Sequence, residues 1–268
     1  MDYLNTLKLI LIGFIQGLTE PLPISSSAHM IIVGHLLNIG KLDINTEIII
    51  NFASTIAIAI FFRKKIISLF INTFTKKKTT DYSYLDRSYF LKLLVASIPA
   101  VIAGVFFKDL IDNYFMNIKF VSIALILTGF LLLFTYLMIK EKTIFTDEIT
   151  FQDSVTIGLM QALAILPGIS RSGSTFFGGT TRNIKLKRIF DFSFFLYLIA
   201  SFGALVLSFF DLDIKDININ SLIIPFIITF ITTYFSIKLF HKILNKKTLL
   251  MFMIYTFIIG LIFLILPL

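Results

Sequence analysis

Apolar residues in this chain run in long unbroken blocks, not in alternation. Six blocks are clear: Glu47–Phe62, Tyr89–Phe107, Lys119–Ile139, Ile189–Phe210, Ser221–Phe240 and Leu249–Leu268. A helix of about 20 residues crosses roughly 30 Å of hydrocarbon. The period-two alternation of a membrane strand is missing. The pattern therefore predicts an all-α integral membrane protein with six transmembrane helices. Two further apolar regions are interrupted. Tyr3–Leu37 breaks at Pro21, Pro23 and Ser25–Ser27, and Phe151–Thr181 breaks at Pro167, Gly168 and Ser170–Ser174. Their halves, about 12–16 residues each, are short for a crossing. Each region is predicted to be a re-entrant hairpin that dips into the membrane and returns.

Composition narrows the class. Of 268 residues, 57% are hydrophobic and 15% charged, with a mean hydropathy of +0.91. Soluble domains carry about 25% charge, so a cytosolic enzyme, a disordered chain and a secreted disulfide scaffold are excluded. The absence of cysteine excludes disulfides, thiolate metal sites and a cysteine nucleophile. No basic leader with a cleavage site opens the sequence, so no removable signal peptide is expected.

A net charge of +8 would suggest nucleic acid in a soluble protein. Here the basic residues mark the inner side of the membrane. Arg63, Lys64, Lys65, Lys76, Lys77, Lys78, Arg87, Lys140, Lys142, Arg182, Lys185, Lys187, Arg188, Lys238, Lys242, Lys246 and Lys247 all fall inside if the second hairpin returns to the side it left. The outer segments keep Lys41, Lys108, Lys119 and Lys215. This places the N- and C-termini outside, and no nucleic-acid partner is expected. The run Arg63–Lys65 is a topology signal, with anionic membrane lipid as a secondary contact.

The hairpins repeat each other. Gln16–His29 aligns without gaps on Gln161–Ser174 at an offset of 145, with Gln, Leu, Ile and two Ser coinciding. Ala53-Ser54 and Ala200-Ser201 follow in the first full span after each hairpin. One hairpin plus three spans makes a unit with an odd number of crossings, so the second copy is inverted. The chain reads as one membrane domain, repeat one about 1–140 and repeat two about 151–268, with hairpin tips meeting near the midplane.

Polar residues at that depth are candidate functional groups. The first tip carries Gln16, Glu20, Ser25, Ser26, Ser27 and His29; the second carries Ser170, Arg171, Ser172, Ser174 and Thr175. Ser25 and Ser170 are placed to cap the ascending helices. Two helix N-termini would then offer N–H groups to an anion, and Arg171 a fork for phosphate oxygens. The cluster predicts a buried phosphate or diphosphate site. Blander roles compete for some residues: serine runs often only cap helices, Gln161 suits interhelical hydrogen bonding, and His35 and His241 have no chemical part. His29 follows Ser26 by three residues, which would set an imidazole beside the hydroxyl. Attack by Ser26, by His29 or by water fits the same spacing.

Three segments carry a family resemblance: Gln16-Gly-Leu-Thr-Glu20, Pro23-Ile-Ser-Ser-Ser-Ala-His29 and Pro167-Gly-Ile-Ser-Arg-Ser-Gly-Ser-Thr175. With the span order and the repeat, the chain resembles the bacterial undecaprenyl-diphosphatases of the bacitracin-resistance type. The resemblance implies hydrolysis of undecaprenyl diphosphate to undecaprenyl phosphate and inorganic phosphate, at a site open to the outer leaflet. It implies a nucleophilic Ser26, a functional His29 and a phosphate-binding Arg171. It also implies a divalent cation, Mg²⁺ or Ca²⁺, for which Glu20 and Gln16 are the candidate oxygen ligands; the family pattern admits Glu or Gln at position 16. Ser25, Ser27, Ser170, Ser172, Gly173, Ser174 and Thr175 are the candidate substrate-binding residues. A polyprenyl-phosphate flippase or anion transporter is the alternative on the same architecture, and a structural membrane subunit the bland one. The expected partners are the polyprenyl diphosphate and membrane lipid, with room for a homodimer.

Overall fold

A computed structural model describes residues 3–39, 44–75, 79, 81–141, 144–211 and 219–266. The basic residues Lys41, Lys76, Lys77, Lys78, Lys142 and Lys215 lie outside them. Pro21 and Pro23 end the first helix, α1 (Tyr3–Thr19), because proline lacks an N–H and blocks the preceding residue from helical geometry. The chain turns and restarts as α2 (Ser26–Leu36). The second interrupted region does the same. It forms α6 (Phe151–Leu163), which opens on a Thr150/Asp153 capping box, and α7 (Arg171–Thr181). Between them Gly168 takes φ +97°, a conformation that favours glycine.

The other described elements are α3 (Ile44–Phe74), α4 (Arg87–Tyr114), α5 (Ile118–Glu141), α8 (Leu186–Asp211), α9 (Ile219–Ile243) and α10 (Lys246–Ile265). Among the described residues, five helices hold a stretch long and apolar enough to cross a membrane: Arg87–Phe107, Ile118–Glu141, Leu186–Val206, Ser221–Ile243 and Lys246–Ile265. This is a multi-pass helical membrane protein. The sixth expected block, Glu47–Phe62, lies within α3 and is not among the five. That helix does not stop at the block's end but continues through Arg63, Lys64 and Lys65 to Phe74.

Packing follows a two-fold pattern. α1 packs on α9 as α6 packs on α4, while α5 lies against α10 and α3 against α8. Glycines permit the closest approaches. A Cβ on Gly13 would sit 2.8 Å from the carbonyl oxygen of Pro225, and one on Gly158 would sit 2.8 Å from Cα of Ala96. These two glycines are themselves separated by the repeat offset. Thr229 reinforces the first crossing by donating to the carbonyl of Gly13 at 3.0 Å.

Lys65, Arg182, Lys185 and Arg188 gather at one end of the bundle. Lys65 of α3 pairs with the buried Asp191 of α8 at 2.5 Å, and the hydroxyl of Tyr84 donates to the same carboxylate at 3.1 Å. Burial and the neighbouring Asp191 charge push the Tyr84 phenol well above its usual range. Arg182, just after α7, pairs with Asp153 at the start of α6 at 2.6 Å. The second hairpin therefore begins and ends at the same end of the molecule. Lys185 and Arg188 both bind Asp147, whose carboxyl they hold below the usual carboxylate range by hydrogen bonding. His241 of α9 packs its ring on Phe61 and Phe190 at this end too.

Candidate active site

The two hairpin tips touch. The amide of Gly168 donates to Ser27 Oγ at 3.3 Å, and Ser172 Oγ donates to the carbonyl of Leu22 at 3.3 Å. Thr128, midway along α5, ties the second tip down by donating to the Gly168 carbonyl and accepting from the Ser170 amide. Both expected caps form: Ser25 Oγ accepts from the amide of Ala28, and Ser170 Oγ from that of Gly173.

A cavity of about 300 Å³ opens between the tips and α8. Its polar wall is Glu20, Ser25, Ser26, Ser27, Ser170, Arg171 and Ser172, and its α8 wall is Tyr197, Ala200, Ser201 and Ala204. Both ascending helices start at this wall. The amides of Ala28, Gly173 and Ser174 are already engaged. The first-turn amides of Ser26, Ser27, Arg171 and Ser172 have no intrahelical acceptor and are the donors available to an anion. Gly173, Ser174 and Thr175 are buried and do not line the cavity. Thr175 instead shares a hydrogen bond with Ser193 Oγ at 2.7 Å.

Glu20 is the hub of the first tip. Its Oε2 accepts from Ser26 Oγ at 2.5 Å and from Gln16 Nε2 at 2.9 Å, while Gln16 also donates to Asn51 Oδ1 of α3 at 2.8 Å. Its Oε1 lies 3.9 Å from Nη2 of Arg171. Arg171 donates through Nη1 to the carbonyl of Ser193 at 3.0 Å, and its guanidinium lies over the Tyr197 ring at 4.3 Å and the Phe194 ring at 5.4 Å. The aromatic platform fixes the plane of the fork. The fork and the carboxylate thus face each other across one small volume.

His29 is not beside Ser26. Its Nδ1 bonds the Ser25 carbonyl at 2.7 Å and its Nε2 bonds the hydroxyl of Tyr255 at 2.7 Å. The ring lies nearly parallel to that of Tyr255 and does not line the cavity. Three-residue helical spacing puts Ser26 and His29 on one face, but the imidazole turns back to the preceding carbonyl, leaving Glu20 as the partner of the serine. Ser25 itself has φ +66°, a left-handed value for a non-glycine residue, costing on the order of 1–3 kcal/mol.

Among the described residues no three His, Cys, Asp or Glu side chains converge on one point. Glu20 lines the cavity and fits a hard cation that keeps water and ligand oxygens in its remaining positions, whereas Gln16 turns its amide nitrogen to Glu20 and Asn51 and does not line the cavity. Asn51, Thr128, Ser193, Tyr197 and Tyr255 were not singled out in the sequence. Each is a polar group inside an apolar block, a signal available from membrane depth alone.

The same arrangement is placed in context by known proteins. Residues 9–262 match the model of the family described as bacitracin resistance protein BacA. The chain belongs to the BacA family. Undecaprenyl-diphosphatase 2 of Bacillus thuringiensis (strain Al Hakam) is 37% identical over 264 residues, covering 97% of each chain. Undecaprenyl-diphosphatase 3 of Bacillus anthracis gives the same identity and coverage. The undecaprenyl-diphosphatase of Acholeplasma laidlawii (strain PG-8A) is 35% identical over 277 residues, covering 98% of each. The BacA match takes in both hairpin tips and every residue of the cavity wall.

Proposed function

We infer that this chain removes the terminal phosphate of undecaprenyl diphosphate, releasing undecaprenyl phosphate and inorganic phosphate and so returning the lipid carrier to cell-wall synthesis. The BacA membership and the curated relatives carry the substrate and reaction. The observation that carries the mechanism is the 2.5 Å hydrogen bond from Ser26 to Glu20 on the wall of a cavity that also holds Arg171. No feature of the site favours the transport alternative.

Ser26 Oγ attacks the terminal phosphorus as its proton passes to Glu20 Oε2. The bond from that phosphorus to the bridging oxygen breaks, and undecaprenyl phosphate leaves with the electron pair. Water then attacks the phosphoserine phosphorus, the bond from that phosphorus to Ser26 Oγ breaks as Glu20 returns its proton to that oxygen, and inorganic phosphate departs with the water's protons. Arg171 and the first-turn amides of α2 and α7 balance charge on the phosphate oxygens, the main requirement of phosphoryl transfer. Ser25, Ser27, Ser170 and Ser172 add hydroxyls to the wall, while Gly173, Ser174 and Thr175 support it from behind. A divalent cation, Mg²⁺ or Ca²⁺, held by Glu20 would neutralise diphosphate charge when bound.

The topology completes the proposal. Six transmembrane helices, with α3 supplying the one beyond the five apolar stretches, and two re-entrant hairpins form one domain of inverted repeats. The basic end faces the cytoplasm and the termini lie outside. The cavity runs from the tips along Ala200, Ser201 and Ala204 towards the end of α8 opposite the basic cluster, the outer leaflet in this orientation. Purified protein in detergent should release phosphate from undecaprenyl diphosphate with Mg²⁺ or Ca²⁺ and stop on chelation. No release under either cation would reject the reading.

A further inference from the structure

His29 has both ring nitrogens committed. A carbonyl oxygen only accepts, so the bond to Ser25 puts the proton on Nδ1, and the neutral ring then accepts at Nε2 from the hydroxyl of Tyr255. Neither nitrogen is left for Ser26, whose hydroxyl is bound to Glu20. The carbonyl that His29 holds belongs to Ser25, the residue with the left-handed backbone that aims α2 and its first residue, Ser26, at the cavity. Tyr255 lies midway along α10, 226 residues away in sequence, and stacks on the imidazole with ring centres 5.6 Å apart. The last helix of the chain thus braces the turn that presents the nucleophile.

We propose that Tyr255 is a positioning residue for the reaction, acting through His29 on the Ser25 carbonyl, and that His29 is a link in this brace and not the acid–base partner of Ser26. The proposal rests on the reading of Ser26 as nucleophile. Without the brace the turn relaxes, and Ser26 spends less time aligned with Glu20 and the phosphorus. Such a loss appears in kcat, since the diphosphate contacts at Arg171 and the helix ends remain.

Three variants test this by phosphate release from undecaprenyl diphosphate in detergent, each first checked for the parent's elution profile. An asparagine at position 29 can donate from its amide to the Ser25 carbonyl but cannot titrate. His29→Asn is therefore expected to keep turnover within about a hundredfold of the parent, with the same pH profile. Loss beyond that in well-folded protein, or loss of one limb of the profile between about pH 5 and 8, would assign acid–base work to His29 and overturn the proposal. Tyr255→Phe is expected to lower kcat about tenfold with KM within about twofold. An unchanged kcat would overturn it, even if the melting temperature fell, and this variant decides alone if His29→Asn does not fold. Ser26→Ala separates the two levels: turnover there would remove the nucleophile reading itself, whereas its loss together with unchanged Tyr255→Phe removes only the brace.

Discussion

The hydroxyl of Ser26 donates to Oε2 of Glu20 at 2.5 Å, across the turn that separates α1 from α2. The candidate nucleophile and the proposed acceptor of its proton are thus in direct contact. The same carboxylate faces Arg171 through its other oxygen. One side chain therefore connects the proposed attacking group of the first hairpin to the proposed anion-binding group of the second.

Glu20→Gln keeps the volume and removes both the charge and the proton acceptor. Phosphate release should fall by about 10²–10⁴-fold, the range typical of a lost general base. Gln16→Glu should keep activity, as the family pattern admits either residue. Parent-like turnover in Glu20→Gln would remove Glu20 from the chemistry.

Arg171→Lys retains a positive charge but loses the planar fork that lies over Tyr197 and donates to the Ser193 carbonyl. A large loss of turnover with normal membrane insertion is the expected outcome. Near-normal turnover by Arg171→Ala would contradict diphosphate binding by the second tip.

Gly158→Val should lower the melting temperature and activity together, because its side chain would overlap the α4 backbone at Ala96. Gly104 has open space around a built Cβ, so Gly104→Ala should leave activity intact and hold or raise the melting temperature. Thermal unfolding in detergent distinguishes the two.

Orientation is open to labelling in a chain without native cysteine. Lys187→Cys, at the basic end, should resist an impermeant thiol reagent in intact cells. Lys119→Cys, at the start of α5, should react. The reverse pattern would invert the proposed topology.

The interrupted hairpins were legible in the sequence because proline and serine act locally, stopping one helix and capping the next. The end of α3 was not: the basic run looked like a boundary, yet Lys65 stays in helix and reaches Asp191, a partner far along the chain. The orientation of the His29 ring was not legible either. Helical spacing assigns a face, but Tyr255 and the Ser25 carbonyl decide which way the ring turns. Tyr197 and Asn51 sit in apolar blocks without a motif, and their meaning comes from what packs against them in three dimensions.

The most direct test compares purified parent and Ser26→Ala in detergent, following inorganic phosphate released from undecaprenyl diphosphate. With Ser26 as nucleophile and Glu20 as its base, the parent turns over and Ser26→Ala falls to background. Hydrolysis by Ser26→Ala within about tenfold of the parent, a barrier change of only about 1.4 kcal/mol, would contradict the account.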